Sequence, residues 1–346
     1  MLYRYNNDVL SNVPTNTTAP YPVATRRSAR RRPAYKSVFF WAKAATLALL
    51  AVSLLALLGR WFFLFELFSH FVVQYLLVSA VLVLYWLIRP HYLVLPAIGC
   101  FLWHGVQVYP WVSGRQPAAA APADVRVLHA NVLFSRHNYQ PIRQLIEREN
   151  PDVFVLQEMT PAGIQAMQSL ATRYPYRVSI WSKGPCYLLV GSKTPFVADQ
   201  ASARQQRVIH IQTRVKGQPV SLITVHPRTP VIPSWFRERN RQLAYVSQLA
   251  RQQTKPTVLL GDFNVTMWSP VYKDYLDMPE LTACRQGFGR QPTWPAFFPP
   301  AYLPLDHAFV NSGFQTTRFR TLAVPESDHK ALVADLRFAA QRFAAR

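Results

Sequence analysis

Three long apolar runs in the first third of the chain limit most strongly what it can fold into. The first covers residues 38–58 and holds one charge, Lys43; the second covers 61–88 and is cleanest over 71–88; the third covers 92–112. A helix rises about 1.5 Å per residue, so about 20 apolar residues cross the core of a bilayer. The pattern therefore predicts a transmembrane region, 38–112, with about three helices at about 38–58, 64–88 and 92–112.

The second and third runs are interrupted by polar residues. Pro96, His104 and Gln107 weaken the third run, and a buried helix of a soluble domain is the alternative for it. Glu66 and His70 interrupt the second run, either as functional groups or, as we expect, by snorkelling to the membrane interface. A cleaved signal peptide does not fit, because the first run is too long and further apolar runs follow it.

Basic residues around the apolar runs predict the orientation. A cluster precedes the first run, formed by Arg26, Arg27, Arg30, Arg31 and Arg32, and Arg89 lies between the second and third runs. Cytoplasmic flanks carry an excess of Lys and Arg, so the N-terminus should be cytoplasmic. With three crossings, the rest of the chain lies outside the cytoplasm. We therefore expect a multi-pass protein of the cell inner membrane with a periplasmic domain; without the third crossing, the orientation inverts.

The remaining segments differ in composition. Residues 1–37 are polar and basic, which predicts a disordered cytoplasmic tail, and the Ala- and Pro-rich stretch 113–124 predicts a linker. Residues 125–346 are long enough for one sizeable domain. From residue 120 onward there are 27 Lys and Arg against 15 Asp and Glu, and the whole chain has a formal charge of +21. This charge favours a polyanionic partner: nucleic acid, an anionic lipid surface or a phosphorylated small molecule.

Apolar periodicity predicts an α/β domain after the linker. Strands are predicted near 125–130, 152–156, 176–181, 187–190, 208–215, 220–225, 258–260, 305–310, 317–324 and 331–338, and helices near 139–149, 163–171, 236–252 and 270–276. Many strands and few helices indicate packed sheets with helices outside. Whether Cys186 and Cys284 pair stays open, since their spacing gives no distance and only an extracytoplasmic domain would favour a disulfide.

The run Thr257-Val258-Leu259-Leu260 ends in Gly261-Asp262-Phe263-Asn264. Alternation along an extended backbone places Asp262 and Asn264 on one face, where both side chains can reach one ligand. An ordinary Asx turn is the alternative, because Asp and Asn favour turns.

Polar residues recur where other apolar runs begin or end. These are Asn131, Glu158, His226, Asp306-His307 and Asp328-His329. Together with Asp262 and Asn264 they supply carboxylates, amides and imidazoles. That set suits a hard divalent cation held by oxygen ligands, together with general acid–base groups.

These residues resemble a known family in their order and spacing. Asn131, Gln157-Glu158, His226-Pro227, Gly261-Asp262-Phe263-Asn264, Leu305-Asp306-His307 and Ser327-Asp328-His329 are similar to the motifs of the endonuclease/exonuclease/phosphatase superfamily. Residues 239–243 (RNRQL) and Thr293-Trp294-Pro295 look like its membrane-tethered bacterial branch. The resemblance covers about 124–340. It implies the DNase I-like fold, a four-layer α/β/β/α sandwich with the active site at one end.

The resemblance also implies a metal site. Glu158 would be the main Mg²⁺ ligand, supplemented or positioned by Asn131, with Asp328 near the metal. Mn²⁺ is a possible substitute for Mg²⁺. No other cofactor is expected.

Catalytic roles follow from the same resemblance. Asp262 would orient or deprotonate the attacking water, and Asn264 would hydrogen-bond the phosphoryl oxygen. His329 would contact the phosphate, held by Asp306. His226 would stabilise the phosphate or protonate the leaving oxygen, although no acidic partner for it is evident in the sequence.

Four other histidines receive no catalytic role. His307 departs from the residue usual in relatives and is expected to support the site from behind. His129, His137 and His210 match no motif, so each is expected to be a packed or exposed structural residue.

The sequence thus predicts a membrane-anchored, Mg²⁺-dependent phosphoesterase that hydrolyses phosphodiester or phosphomonoester bonds. Its substrate would be nucleic acid or a phospholipid-type molecule. The alternative is a non-catalytic membrane protein that keeps the fold for binding.

Overall fold

The computed structural model describes residues 37–114 and 122–339. The predicted cytoplasmic tail, up to residue 36, and most of the predicted linker fall outside these residues. Met1–Trp41 and Ala42–Arg346 are two compact units. Within the first unit, residues 37–41 are described, and they lead into a helix. All further contacts given below lie within the second unit.

Four helices form the first region. They are α1 (Val38–Leu57), α2 (Phe63–Phe68), α3 (Val72–Ile88) and α4 (Val94–Val112), and short 3₁₀ turns at Leu58–Arg60 and Ser69–Phe71 flank α2. Two segments of the described chain are long and apolar enough to cross a membrane, Val38–Arg60 with 23 residues and Phe63–Ile88 with 26. The prediction of about three transmembrane helices is therefore supported for two. The third predicted helix forms as α4, but its polar residues make its mean hydropathy lower than that expected of a membrane-spanning helix.

The bundle keeps much of its apolar surface on the outside. Only 22% of the most apolar window of each spanning segment is buried, which is unlike the core helix of a soluble protein. Leu77, Val81 and Leu84 of α3 are exposed, as are Leu102 and Val106 of α4. Such outward apolar faces on successive helices are typical of contact with lipid.

Two six-stranded mixed sheets make up the following domain. The strands are β1 (Val125–Asn131), β2 (Val153–Met159), β3 (Tyr176–Lys183), β4 (Cys186–Ser192), β5 (Phe196–Ala198), β6 (Val208–Val215), β7 (Gln218–Val225), β8 (Thr257–Asp262), β9 (Thr282–Ala283), β10 (Asp306–Val310), β11 (Phe314–Leu322) and β12 (Ala331–Phe338). One sheet has the order β11-β12-β1-β2-β4-β3 and the other β5-β6-β7-β8-β10-β9. The β1–β2 and β7–β8 pairs are parallel.

Helices cover the outer face of both sheets. The helices of this domain are α5 (Gln140–Glu149), α6 (Pro161–Ala166), α7 (Gln200–Gln206), α8 (Pro233–Arg251) and α9 (Pro270–Tyr275). Val258 and Leu260 of β8 face the other sheet, whereas Leu259 packs with Leu243 of α8. Because both faces of such strands are buried, their sequences are continuous apolar runs. The sandwich of two sheets covered by helices agrees with the predicted fold class.

Some short elements differ from the prediction. β5 and β9 were not predicted, because three and two residues carry too little periodicity. α7 was not predicted, because its sequence QASARQQ has no apolar face. The helix predicted at 163–171 divides into α6 and a 3₁₀ turn, Met167–Leu170. The three cysteines are buried and free, so Cys186 and Cys284 do not pair.

Candidate active site

The site lies at the end of the sandwich where β1, β2 and β8 finish and where β10 begins. Asp306 lies directly opposite Asp262 in the antiparallel β8–β10 pair. Gly261 leaves room for the Gln157 side chain of the other sheet, because a Cβ there would lie 2.8 Å from Gln157 Nε2 and 2.4 Å from the Val225 carbonyl oxygen of the neighbouring strand β7. The strand ends thus bring together carboxylates that are far apart in the sequence.

Gln157 joins the two sheets at this edge. Its side-chain oxygen accepts a hydrogen bond from the Asp262 amide (3.0 Å), and its amide group donates to the Val225 carbonyl (3.0 Å) and the Thr224 hydroxyl (3.2 Å). Gln157 is fully buried. The sequence analysis gave it no role, although its place beside Glu158 in the motif was a signal.

Glu158 and Asn131 form the part of the site suited to a cation. Glu158 has a φ of +59° at a bulge of β2, a conformation that non-glycine residues rarely adopt outside functional sites. The Asn131 amide donates to Glu158 Oε1 and to Asp262 Oδ2, both at 3.2 Å, and the Phe134 amide donates to Glu158 Oε2 (3.2 Å). Carboxylate oxygens are ligands that Mg²⁺ prefers, so Glu158 fits the predicted metal. The Asn131 Oδ1 accepts a hydrogen bond from the Leu133 backbone amide (3.1 Å), so Asn131 positions Glu158 rather than offering an oxygen to the cation.

Asp306 holds two histidines. Its oxygens lie 2.8 Å from His329 Nδ1 and 2.8 Å from His129 Nε2. Although burial opposes it, the charge on His329 and the hydrogen bonds of both rings hold the pKa of Asp306 well below its usual range. Burial would lower the pKa of His329, but Asp306 and Asp262 raise it to about 10. His129 was expected to be structural, and the structure places it in the site as a second partner of Asp306.

Asp262 is the buried carboxylate at the centre. Burial, followed by the charge of Asp306, raises its pKa to about 6. Ligand atoms of Asp262, Asp306 and His329 lie within 4.8 Å of one another. Both oxygens of Asp306 already accept hydrogen bonds from imidazoles, so Glu158, which retains 15% side-chain exposure, is the more accessible metal ligand.

His226 faces both carboxylates and an unpredicted lysine. Its Nε2 lies 3.5 Å from Asp262 Oδ2, 3.7 Å from Glu158 Oε1 and 2.9 Å from Lys183 Nζ. Asp262 and Glu158 are therefore acidic neighbours of His226 that the sequence did not reveal, although neither carboxylate forms a hydrogen bond with the ring. Burial and the Lys183 charge lower the pKa of His226 well below its usual value. Lys183 had no sequence signal, because it comes from a different strand.

Asn264 lies in a tightly held loop after β8. Its amide N–H donates to Asp262 Oδ1 (3.0 Å), and its side-chain amide donates to the Pro227 carbonyl (3.1 Å). Its own carbonyl accepts a hydrogen bond from Arg239 Nη1 (2.8 Å). Asn264 has a φ of +51°, which residues other than glycine rarely adopt. The hydrogen bonds of Asn264 therefore help to hold the loop in this conformation. Residues 264–269 are called the catalytic loop below.

Glu66 reaches the catalytic loop from the helical region. Arg239 Nη2 donates to Glu66 Oε2 (2.5 Å), and the Ser269 hydroxyl donates to Glu66 Oε1 (2.8 Å). His70 Nδ1 lies 3.1 Å from the Thr266 hydroxyl. Glu66 and His70 are buried, so the expectation that they snorkel to an interface is wrong. They pack against the domain because their partners lie there.

Asp328 is held by the Thr293-Trp294-Pro295 motif. Trp294 Nε1 donates to Asp328 Oδ2 (3.0 Å). The Thr293 hydroxyl accepts hydrogen bonds from the backbone amides of Leu305 and Asp306, both at 3.1 Å. The motif therefore fixes Asp306 and turns one oxygen of Asp328 toward an indole.

The remaining histidines lie outside the catalytic group. His307 Nε2 lies 2.8 Å from the Val265 carbonyl, on the side of β10 that faces α8 and α9. It therefore supports the catalytic loop from behind, as expected. His210 contacts the Ser221 hydroxyl (2.9 Å), and His137 is exposed.

Comparison with known proteins shows what this domain is similar to. Residues 128–329 match the model of the Endonuclease/Exonuclease/phosphatase family. Similar solved structures include D. rerio TDP2 humanized by 14 mutations (18% identity, TM-score 0.53, covering 62% of this chain and 98% of that one). Another is a Bacteroides thetaiotaomicron mannosyl-6-phosphatase (17%, 0.51, 62% and 100%). At such identities the likeness shows the fold. No curated protein sequence matches the chain.

Proposed function

The chain belongs to the endonuclease/exonuclease/phosphatase family, a family of phosphoric ester hydrolases, and on this premise we propose that it is a membrane-anchored, Mg²⁺-dependent phosphoesterase. The convergence of Glu158, Asp262, Asn264, His226 and the Asp306–His329 pair at one end of the sandwich carries the proposal. The family match confirms the resemblance predicted from the motifs, together with the enzyme class.

Asp262 is the group suited to activating water. Its Oδ1 is held by the Asn264 amide, which leaves Oδ2 facing Asn131, His226 and His329. A pKa of about 6 leaves it ionised near neutral pH yet basic enough to accept a proton. We assign it the role of general base toward water that attacks phosphorus.

Cationic groups offset the charge that accumulates at phosphorus. His329 is protonated at neutral pH, since its pKa is about 10, and it offers an N–H to a phosphoryl oxygen. Lys183 adds a second positive charge beside His226. Preorganised charges of this kind typically contribute a few kcal/mol each. Mg²⁺ or Mn²⁺, held by Glu158, which Asn131 positions, and with Asp328 nearby, would supply Lewis-acid charge stabilisation.

His226 fits phosphate stabilisation better than proton donation. Burial, followed by the Lys183 charge, lowers its pKa and favours its neutral form, and a neutral imidazole is a poor proton donor to the leaving oxygen. Its buried Nδ1 has no hydrogen-bond partner among the described residues. A polar atom in this state is costly unless water or a ligand satisfies it, which is consistent with a position at the substrate.

The arrangement of the helices supports the anchored topology. Ala42 of α1 packs in one cluster with Trp86 and Leu93, at the turn between α3 and α4. At the opposite end, Arg60 pairs with Asp274 and Trp111 lies 6.3 Å from the Tyr272 ring. The catalytic domain therefore lies at the bundle end that holds residues 58–71.

This placement favours a periplasmic domain. When α1 crosses the bilayer, its two ends lie on opposite sides, and the domain lies on the side of residues 58–71. The 19-residue α4, about 28 Å long, returns antiparallel to α3 and supplies the third crossing. A C-terminal reporter after Arg346 that is active only in the cytoplasm contradicts this orientation.

The activity test uses the full chain in detergent or nanodiscs, because a soluble fragment would leave Arg239 buried without Glu66. Hydrolysis of bis(4-nitrophenyl) phosphate is measured with Mg²⁺, with Mn²⁺ and with EDTA, and Glu158→Ala is assayed in parallel. We expect metal-dependent release that the variant loses. Equal rates with EDTA, or an unaffected Glu158→Ala protein, contradict the proposal.

A nucleic-acid substrate is the alternative to a lipid. The basic charge favours it, and a structure of similar fold, D. rerio TDP2, was solved with a single-strand DNA product (17% identity, TM-score 0.53). Cleavage of DNA that falls steeply with salt would support this alternative.

A further inference from the structure

Large apolar side chains are exposed around the opening of the active site. Within residues 122–339, the exposed large hydrophobic residues are Phe134, Tyr176, Trp181, Val197, Val231, Ile232, Phe297 and Phe298. Six of the eight, all except Tyr176 and Val197, lie on segments that also build the site. These six residues are called the apolar rim below.

Two residues of the apolar rim, Phe134 and Trp181, lie close in sequence to residues of the site. The Phe134 amide donates to Glu158 Oε2 at 3.2 Å. Trp181 lies two residues before Lys183, on the same strand as the lysine that contacts His226. Both side chains are therefore exposed within a few residues of groups that build the site.

The second half of the rim lies on two loops. Val231 and Ile232 follow Pro227, whose carbonyl accepts the Asn264 side-chain amide. Phe297 and Phe298 follow the Ala296 amide, which donates to the Asp328 carbonyl (2.7 Å).

The rim is also continuous with the apolar helices. Gln74, in the first turn of α3, donates to the carbonyl of Pro300 (3.1 Å), two residues beyond Phe298. Glu66, in α2, contacts the catalytic loop. The end of the sandwich that holds the site is thus the end attached to the membrane-proximal turn of the bundle.

We propose that the apolar rim seats on the lipid surface and that the substrate is an amphiphilic phosphoester, whose hydrocarbon part stays in the bilayer while its phosphate enters the site. The inference rests on the proposed function and specifies its substrate class. Burial of apolar surface is worth about 25 cal/mol per Å², and Phe297, at 78% exposure, and Phe298, at 51%, have most to gain. Stacking on nucleobases would account for aromatic residues, but not for the aliphatic pair Val231 and Ile232.

The first experiment measures contact with lipid independently of any substrate. The three native cysteines are buried, so Phe298→Cys and Val231→Cys each introduce an accessible thiol for a fluorophore. The labelled full-length variants are reconstituted in phosphatidylcholine–phosphatidylglycerol vesicles with a headgroup-level nitroxide lipid. Val197→Cys is the matched control, because Val197 is 76% exposed and lies on β5, at the far edge of its sheet. We expect quenching at 298 and 231, and little at 197.

The second experiment tests the substrate class with full-length protein in vesicles. The probes are phosphatidic acid, phosphatidylglycerol, a single-stranded DNA oligonucleotide and bis(4-nitrophenyl) phosphate as the soluble reference. In Phe297→Ser/Phe298→Ser, we expect kcat/KM for the lipid ester to fall about tenfold or more, while the rate on the soluble ester stays within about twofold. Val197→Ser should change neither rate.

The outcomes separate this inference from the proposed function. Wild-type protein inactive on every probe, the soluble ester included, contradicts the phosphoesterase itself. Hydrolysis of the soluble ester or DNA without hydrolysis of either lipid overturns the amphiphilic substrate. Absence of quenching at 298 and 231, or an equal loss on lipid and soluble esters in the rim variant, overturns the seating of the rim.

Discussion

The buried pair Glu66–Arg239 offers the sharpest test of how the helical region and the active site depend on each other. Both side chains have no exposed surface and their charged atoms are 2.5 Å apart. Glu66→Gln keeps the shape and one hydrogen-bond acceptor but leaves the Arg239 charge uncompensated. Breaking a buried pair in this way typically costs about 3–5 kcal/mol.

Activity should fall as well as stability. Arg239 holds the Asn264 carbonyl (2.8 Å) and Glu66 holds Ser269 (2.8 Å), so the pair fixes both ends of the catalytic loop. A shift of about 1 Å in such a loop can cost about 10² in rate. We expect Glu66→Gln to lower kcat by about tenfold or more while KM changes little, because this pair touches no substrate.

Three variants are compared with the wild type by thermal unfolding in detergent and by steady-state kinetics on the soluble ester. Asp274→Asn is the matched control, since its partner Arg60 lies in the same region but is 53% exposed, and such pairs contribute about 0–1 kcal/mol. The double variant Glu66→Met/Arg239→Met should recover thermal stability, because no unpaired charge remains, but not kcat. A Glu66→Gln protein with wild-type Tm and kcat refutes the reasoning.

Three further predictions concern the catalytic groups. Asp262 must be ionised to accept a proton, and its pKa is about 6. We therefore expect kcat/KM to fall as the pH drops through about 6, and a pH–rate profile measures this fall. A flat profile between pH 5 and pH 7, roughly one unit to either side of the pKa, contradicts the role of Asp262 as general base. Asp306→Asn removes the charge that raises the pKa of His329. The pKa of His329 should therefore fall from about 10 toward its ordinary value, which NMR titration of the ring measures. An unchanged pKa would show that Asp306 is not the group that raises it. Gln157→Ala leaves the buried Asp262 amide without its acceptor, which costs roughly 1–3 kcal/mol, and the Tm should fall accordingly, whereas the exposed control Gln168→Ala should leave it unchanged.

Local sequence patterns were sufficient for most of the regular structure. The continuous apolar runs of β2 and β8 predict buried strands because both faces of each strand are covered, and the residues that end those runs lie at one edge of the sandwich. The predicted strand 331–338 matches β12 in full. β5 was missed because no period can be recognised over three residues, and α7 because its residues are mostly polar and form no apolar face.

The sequence by itself determined the apolar runs, the order of the strands and the polar residues that end them, since each depends on residues close together in the chain. Only the tertiary structure decided which of these groups meet. His129 joins Asp306 across 177 positions, and Glu66 joins Arg239 across 173. Lys183 reaches His226 from a different sheet. The burial that shifts the pKa values of Asp262 and His329 also exists only after the two sheets have packed, because desolvation and charge–charge distances are properties of the folded chain.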